Sequence, residues 1–96
     1  RLNPQDTLAY YNRGKAKSAL ENDTEAFADY TEALRLDPQY SRAYYERGFL
    51  YYQEKNIKKA QSDFIQFLKL TQQTQNEDLL LNRKNIFNIF PELRGK

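Results

Sequence analysis

The sequence contains no cysteine, histidine, methionine or tryptophan. Without cysteine there are no disulfides and no thiol nucleophile. Without histidine the usual general base near neutral pH is missing, and losing both removes most zinc sites. The longest aliphatic run is Leu79-Leu80-Leu81, so no segment is apolar enough to span a membrane as a helix. Arg1-Leu2-Asn3-Pro4 does not have the pattern of a signal peptide. With three glycines and three prolines in 96 residues, the chain has few breakers and reads as one mostly regular domain, helix being favoured. Charges of both signs are interspersed with a net of +2, so neither a nucleic-acid nor a membrane partner is expected. The default location is cytoplasmic, although a chain without thiols tolerates an oxidising space equally well.

What is present is an internal repeat. Residues 1–14 read RLNPQDTLAYYNRG and residues 35–48 read RLDPQYSRAYYERG, a shift of 34 positions. The shift pairs Pro4 with Pro38, Tyr10 with Tyr44 and Gly14 with Gly48. It also pairs Asn22 with Asn56, Ala26 with Ala60, Asp29 with Asp63, and Tyr30 with Phe64. Self-similarity at such a period marks a stacked-repeat architecture. Each unit reads as two helices, with Ala26, Tyr30, Ala33 and Leu34 on one face. Asp6 or Thr7 caps the first helix, and Asn22-Asp23-Thr24 breaks the chain before the next. Asn22 and Asn56 suit a left-handed residue at a helix end. Pro38 stops the second helix by disfavouring helix in its predecessor. Helices are predicted at about 7–20, 24–36, 41–54, 57–71 and 77–90.

These residues resemble the tetratricopeptide repeat. Its pattern of aromatic, Gly, Ala, aromatic, Ala and Pro is matched here by Tyr10, Gly14, Ala26, Tyr30, Ala33 and Pro38. The second copy holds Tyr44, Gly48, Tyr51, Ala60 and Phe64. The resemblance implies an all-α, right-handed solenoid of antiparallel helix pairs in which small residues permit close approach and aromatics fill the space beside them. The division it implies is residues 1–5 as the end of a preceding repeat or linker, 6–38 and 39–72 as two repeats, and 73–96 as a capping helix and tail. Leu2-Asn3-Pro4 and the missing start residue lead to the expectation of further repeats upstream. The sequence also departs from the family pattern. Lys17 stands where an aromatic is usual, Arg13 and Arg47 where leucine is common, Phe67 in place of a small residue and Gln72 in place of proline. A bulky Phe67 at a close-packing position implies that the following segment is not an ordinary third repeat. That segment carries Leu79, Leu80, Arg83, Ile86, Phe87 and Phe90 at helical spacing, with Pro91 and Gly95 ending it.

The resemblance further implies a module that binds proteins and is not an enzyme, and no phosphate loop, metal spacing, cofactor motif or nucleophile–base set appears. In such arrays the first helix of each pair lines the concave side. With Tyr10, Gly14 and Lys17 taken as the core stripe, and Tyr44, Gly48 and Tyr51 as its repeat, the neighbouring stripe carries the candidate site. It comprises Tyr11, Asn12 and Lys15, then Arg42, Tyr45, Glu46, Phe49 and Tyr52. Aromatic and arginine side chains are favoured at interfaces. Three aromatics beside Arg42 and Lys15 point to a peptide or partner helix with an acidic group and an apolar anchor. The competing reading makes Tyr45, Phe49 and Tyr52 core residues, and Lys15 and Arg42 ordinary solvated charges. Some members of the family grip a C-terminal carboxylate with Lys and Asn on successive first helices. Tyr11, Lys15 and Glu46 at those places do not make that clamp. Three other functions stand beside the leading one: homo-oligomerisation by repeat stacking, an appendage of a larger enzyme, and single-stranded RNA binding, against which Glu46 and the low net charge argue. Lys55, Lys58 and Lys59 read as a solvated edge, and the recurring Asp29 and Asp63 as scaffold chemistry.

Overall fold

The computed structural model of the protein describes residues 4–95, and no strand occurs among them. Five helices follow in order: α1 Pro4–Ala19, α2 Asp23–Leu36, α3 Ser41–Gln53, α4 Ile57–Leu70 and α5 Glu77–Ile89. A 3-10 turn, Pro91–Leu93, closes the series. Five helices are thus found where five were predicted, with every end within three residues of its expected place. α1 begins ahead of Asp6 and Thr7, so neither caps it, and Thr7 is instead buried inside the helix. Of the segment Leu2-Asn3-Pro4 read as a repeat end, Leu2 and Asn3 lie outside the described residues.

The paired helices are antiparallel, since Arg13 meets Asp29 while Lys17, farther along α1, meets Glu25, earlier in α2. The turn between α1 and α2 is made by Glu21 at φ 62°, not by Asn22 as expected, and the next pair is joined by Lys55 at φ 65°, not by Asn56. In both turns the residue after the left-handed one donates back to the helix, Asn22 N to Lys17 O at 2.9 Å and Asn56 N to Tyr51 O at 2.9 Å. This arrangement satisfies carbonyls that the helix end leaves without partners. The Asn22 side chain makes no cap bond to α2, but that of Asn56 serves the following helix. Asn56 Oδ1 accepts from Lys59 N at 3.3 Å, as Asn76 Oδ1 accepts from Leu79 N at 3.1 Å at the head of α5. Asp37, ahead of Pro38, is extended and ends α2 as predicted.

Each pair closes on its glycine. A Cβ on Gly14 would sit 2.6 Å from Tyr30 Cε1, and one on Gly48 would sit 2.7 Å from Phe64 Cε1. Ala26, Ala33 and Ala60 are fully buried beside these rings. The same two helices are pinned by a forked ion pair in each unit. Arg13 reaches Asp29 through Nε (2.9 Å) and Nη2 (2.7 Å), and Arg47 reaches Asp63 at 2.8 and 2.9 Å. Asp29 and Asp63 are therefore scaffold residues, as read, with the unexpected arginines as their partners. The Arg13 guanidinium holds the Asp29 carboxyl below its ordinary range.

Two cores result. One gathers Tyr11, Tyr30, Leu34, Ala43 and Leu50 between α1, α2 and α3. The other gathers Tyr45, Phe64, Phe67, Ile86, Phe90 and Leu93 between α3, α4, α5 and the 3-10 turn. α5 ends at Ile89, ahead of Pro91 as expected, and Pro91 starts the 3-10 turn that brings Leu93 back against α4. The expected core stripe on α1 is displaced by one residue. Gly14 is buried, but Tyr10 is half-buried under Arg13 and Lys17 is half-exposed and paired with Glu25, while Thr7 and Tyr11 face inward.

Tyr30 is 1% exposed, yet its hydroxyl has no protein partner among the described residues. The second unit has Phe64 at this place. A buried hydroxyl without a partner is destabilising, so Tyr30→Phe is expected to leave stability unchanged or raise it by up to about 1 kcal/mol. Thermal unfolding checks this, and a drop larger than that margin would mean the hydroxyl is satisfied.

Candidate functional site

The first helices α1, α3 and α5 meet through side chains that bridge from one to the next. Lys15 on α1 lies 3.9 Å from Glu46 on α3, and Asn85 on α5 donates to the Tyr45 hydroxyl at 3.1 Å. The sequence-predicted residues fall into two groups along this face.

The first group is polar and sits between the two units. The Tyr11 hydroxyl faces the Glu46 carboxylate, and Lys15 lies over the Tyr11 ring at 5.8 Å. Burial pushes the Glu46 carboxyl up, because desolvation penalises its charge more than Lys15 and Tyr11 restore it. Burial likewise raises Tyr11. The Arg42 guanidinium stands close enough to Tyr11 and Tyr40 for its charge to oppose that effect in part at both. Arg42 is half-buried and has no carboxylate within ion-pair distance among the described residues. Asn12 is exposed on the solvent side and joins neither group.

The second group is aromatic and largely committed to packing. Tyr45 is 7% exposed, its ring against Phe49, Phe64 and Phe67 at 4.9, 6.1 and 5.3 Å. The expectation of Tyr45 as an open groove residue is thereby corrected, because α5 covers it and supplies Asn85. Tyr11 is 7% exposed too, held by Tyr30 and Tyr40, so it supports the face from below through its hydroxyl. Phe49 is half-buried, edge-on to Phe64 at 5.3 Å. Tyr52 remains on the surface, 38% exposed and edge-on to Phe90 at 5.7 Å. Tyr44 and Tyr51, expected in the core, are half-buried at the seam with α2, where Tyr51 meets Phe27 at 5.2 Å.

Two contributors were not foreseen. Tyr40 precedes α3 and matches Asp6 in the repeat, so no recurrence marked it. Asn85 lies on α5, beyond the residues that the 34-residue shift pairs. Among the described residues no cluster of three or more Asp, Glu, His or Cys could hold a metal ion, and no helix is long and apolar enough to cross a membrane.

Paired antiparallel helices, a small residue at each crossing and a 34-residue period define a helical-repeat solenoid. Family models agree: one described as TPR repeat matches residues 18–54, and one described as tetratricopeptide repeat matches residues 41–74. The chain belongs to the tetratricopeptide-repeat family. Repeats of this family in general mediate protein–protein interaction. No curated protein matches the chain.

Proposed function

We propose that the protein is a non-catalytic interaction module whose first-helix face binds an extended peptide or a helix of a protein partner. One observation supports this most: Arg42 is half-buried beside Tyr11 and Tyr40 with no anionic partner among the described residues, while its neighbours Lys15 and Glu46 already face one another. A partly desolvated guanidinium favours a carboxylate supplied from outside. Tyr52 offers its exposed ring farther along α3 as the apolar contact. The ligand is accordingly a segment with an acidic residue and, about 15 Å or nearly three turns of helix away, an apolar side chain.

The test is selection of peptides on the immobilised protein followed by binding measurements. Selected peptides should share the acidic residue, and Arg42→Ala should weaken them by about 2 kcal/mol, roughly thirtyfold. Arg42→Glu should weaken them further, since repulsion is added to the loss. Tyr52→Ala should weaken binding without shifting the melting temperature by more than a few degrees. Peptides that bind Arg42→Glu as tightly as the parent protein would defeat the proposal.

A further inference from the structure

A cleft of about 360 Å³ lies between α4, α5 and the 3-10 turn and shares no residue with the first-helix face. It is lined by Ile65, Leu68, Lys69, Gln72, Arg83 and Leu93. Its volume is at the small end of the roughly 300–1,000 Å³ typical of ligand cavities, so it suits one large side chain better than a cofactor. Ile65 is 37% exposed on its wall.

The first unit carries the equivalent patch with a ring over its leucine. Shifted by 34 residues, Ile65, Leu68, Lys69 and Gln72 become Thr31, Leu34, Arg35 and Pro38 of the first unit. There α3 lies over Leu34, while Thr31, Arg35 and Pro38 stay exposed. Tyr44 packs on the core that contains Leu34 and donates its hydroxyl to Pro38 O at 2.9 Å, and Arg47 Nη1 donates to Thr31 Oγ1 at 3.4 Å. α5 starts at Glu77, 36 residues after α3 starts at Ser41, and this shift sets Leu80, 46% exposed, where Tyr44 stands and Arg83 where Arg47 stands. Leu34 is buried whereas Leu68 is only half-buried. The ring that closes the first patch thus has no counterpart on the second.

The rim carries two cations, Lys69 and Arg83. Neither Lys69 nor Arg83 has a carboxylate within ion-pair distance among the described residues. Arg83 is held in place by a single nitrogen, Nη1, which donates to Leu68 O and to Thr71 Oγ1 at 2.8 Å each. Its remaining N–H groups are available to an acceptor from outside.

We infer that this cleft receives an aromatic side chain of a partner polypeptide, flanked by acidic residues, which takes the place that Tyr44 takes in the first unit. Lys69 and Arg83 pair with the flanking carboxylates, while Leu68, Ile65 and Leu93 contact the ring. The surface is separate from the one around Arg42, so the module engages partners on two sides.

The experiment titrates the full chain, labelled for amide NMR, with the acetylated, amidated pentapeptide Ser-Asp-Tyr-Glu-Ser. Parallel titrations use its Tyr→Ala form, its Lys-Tyr-Lys form and free 4-hydroxyphenylpropionate. The first peptide should shift amides of residues 65–72, and Lys69→Glu or Ile65→Asp should weaken it by about tenfold. Arg42→Glu should leave it unchanged, which separates this site from the first-helix face. Any of four results overturns the inference: no binding of the first peptide, equal binding of the Ala or Lys-Tyr-Lys form, indifference to both cleft variants, or equal affinity for the free acid, which would make the cleft a small-molecule site.

Discussion

Gly48→Leu is expected to lower the melting temperature by about 10 °C or more, because overpacking costs about 1–3 kcal/mol and sometimes more, and each kcal/mol is worth about 4–8 °C in a domain of this size. The steric cause is local. An added Cβ would stand 2.7 Å from Cε1 and 2.8 Å from Cδ1 of Phe64, a ring that is fully buried. That ring cannot swing aside, since Tyr45, Phe49 and Phe90 surround it with centroids 5.3–6.1 Å away. Two effects compete in the smaller change Gly48→Ala. Alanine gains about 1 kcal/mol of helix propensity over glycine, but its methyl group meets the same ring. The clash is expected to win, leaving a net loss. Combining Gly48→Ala with Phe64→Leu should then cost less than the sum of the two changes, because they share one contact. Strict additivity in that cycle, or an unchanged melting temperature for Gly48→Leu, would show that the crossing is looser than the geometry described above.

Removing residues 77–96 is expected to abolish cooperative unfolding of the remainder or to drive it into oligomers. The segment buries Ile86 completely and leaves Phe90 and Leu93 only 7% and 8% exposed. Its loss also uncovers Phe67 and Tyr45, and removes the Asn85 bond to Tyr45 and the Arg83 bonds to the end of α4. Burying a large apolar side chain stabilises by about 1.5–3 kcal/mol, so three of them together approach the whole stability of a small domain, about 5–15 kcal/mol. Exposed apolar surface on that scale promotes association. Light scattering and thermal unfolding of the shortened chain report on both outcomes. A monomer as stable as the parent would mean that residues 77–96 are a tail with no capping role.

The glycines and alanines were legible in the sequence because their positions tolerate almost nothing else. A Cβ at Gly14 or Gly48 has no room, and the 34-residue shift marks both. The aromatic face was misread by one residue for a physical reason. Tyr10-Tyr11, Tyr44-Tyr45 and Tyr51-Tyr52 are adjacent pairs, so a stripe drawn through either member looks equally apolar. Only packing decides between them: Tyr30 and Tyr40 close over Tyr11, and α5 closes over Tyr45. The left-handed turn residues were also placed one position late. Asn22 and Asn56 suit a helix end, but they suit the start of the next helix as well, and Glu21 and Lys55 take the positive φ instead. The recurrence of Asp29 and Asp63 showed that they matter to the scaffold, yet their arginine partners lie sixteen residues away across the hairpin. Periodicity along one helix does not reveal such a pairing. The return of Leu93 after Pro91 had no repeat to predict it.

Those forked arginine–aspartate pairs have a consequence for how such a chain can grow. A helix that slid by one turn against its mate would move a carboxylate about 5.4 Å along the axis and strand both charges at once. Each pair is therefore a detent that fixes the phase of one helix against the other. Both halves of the detent lie within one unit, so a unit copied whole arrives with its alignment already set and its charge balanced, and needs nothing from its neighbour to find its register. The two copies also show the device under different loads. Arg13 does the work with its side chain 60% exposed, whereas Arg47, at 19%, does it beneath Phe27, Tyr44 and Tyr51.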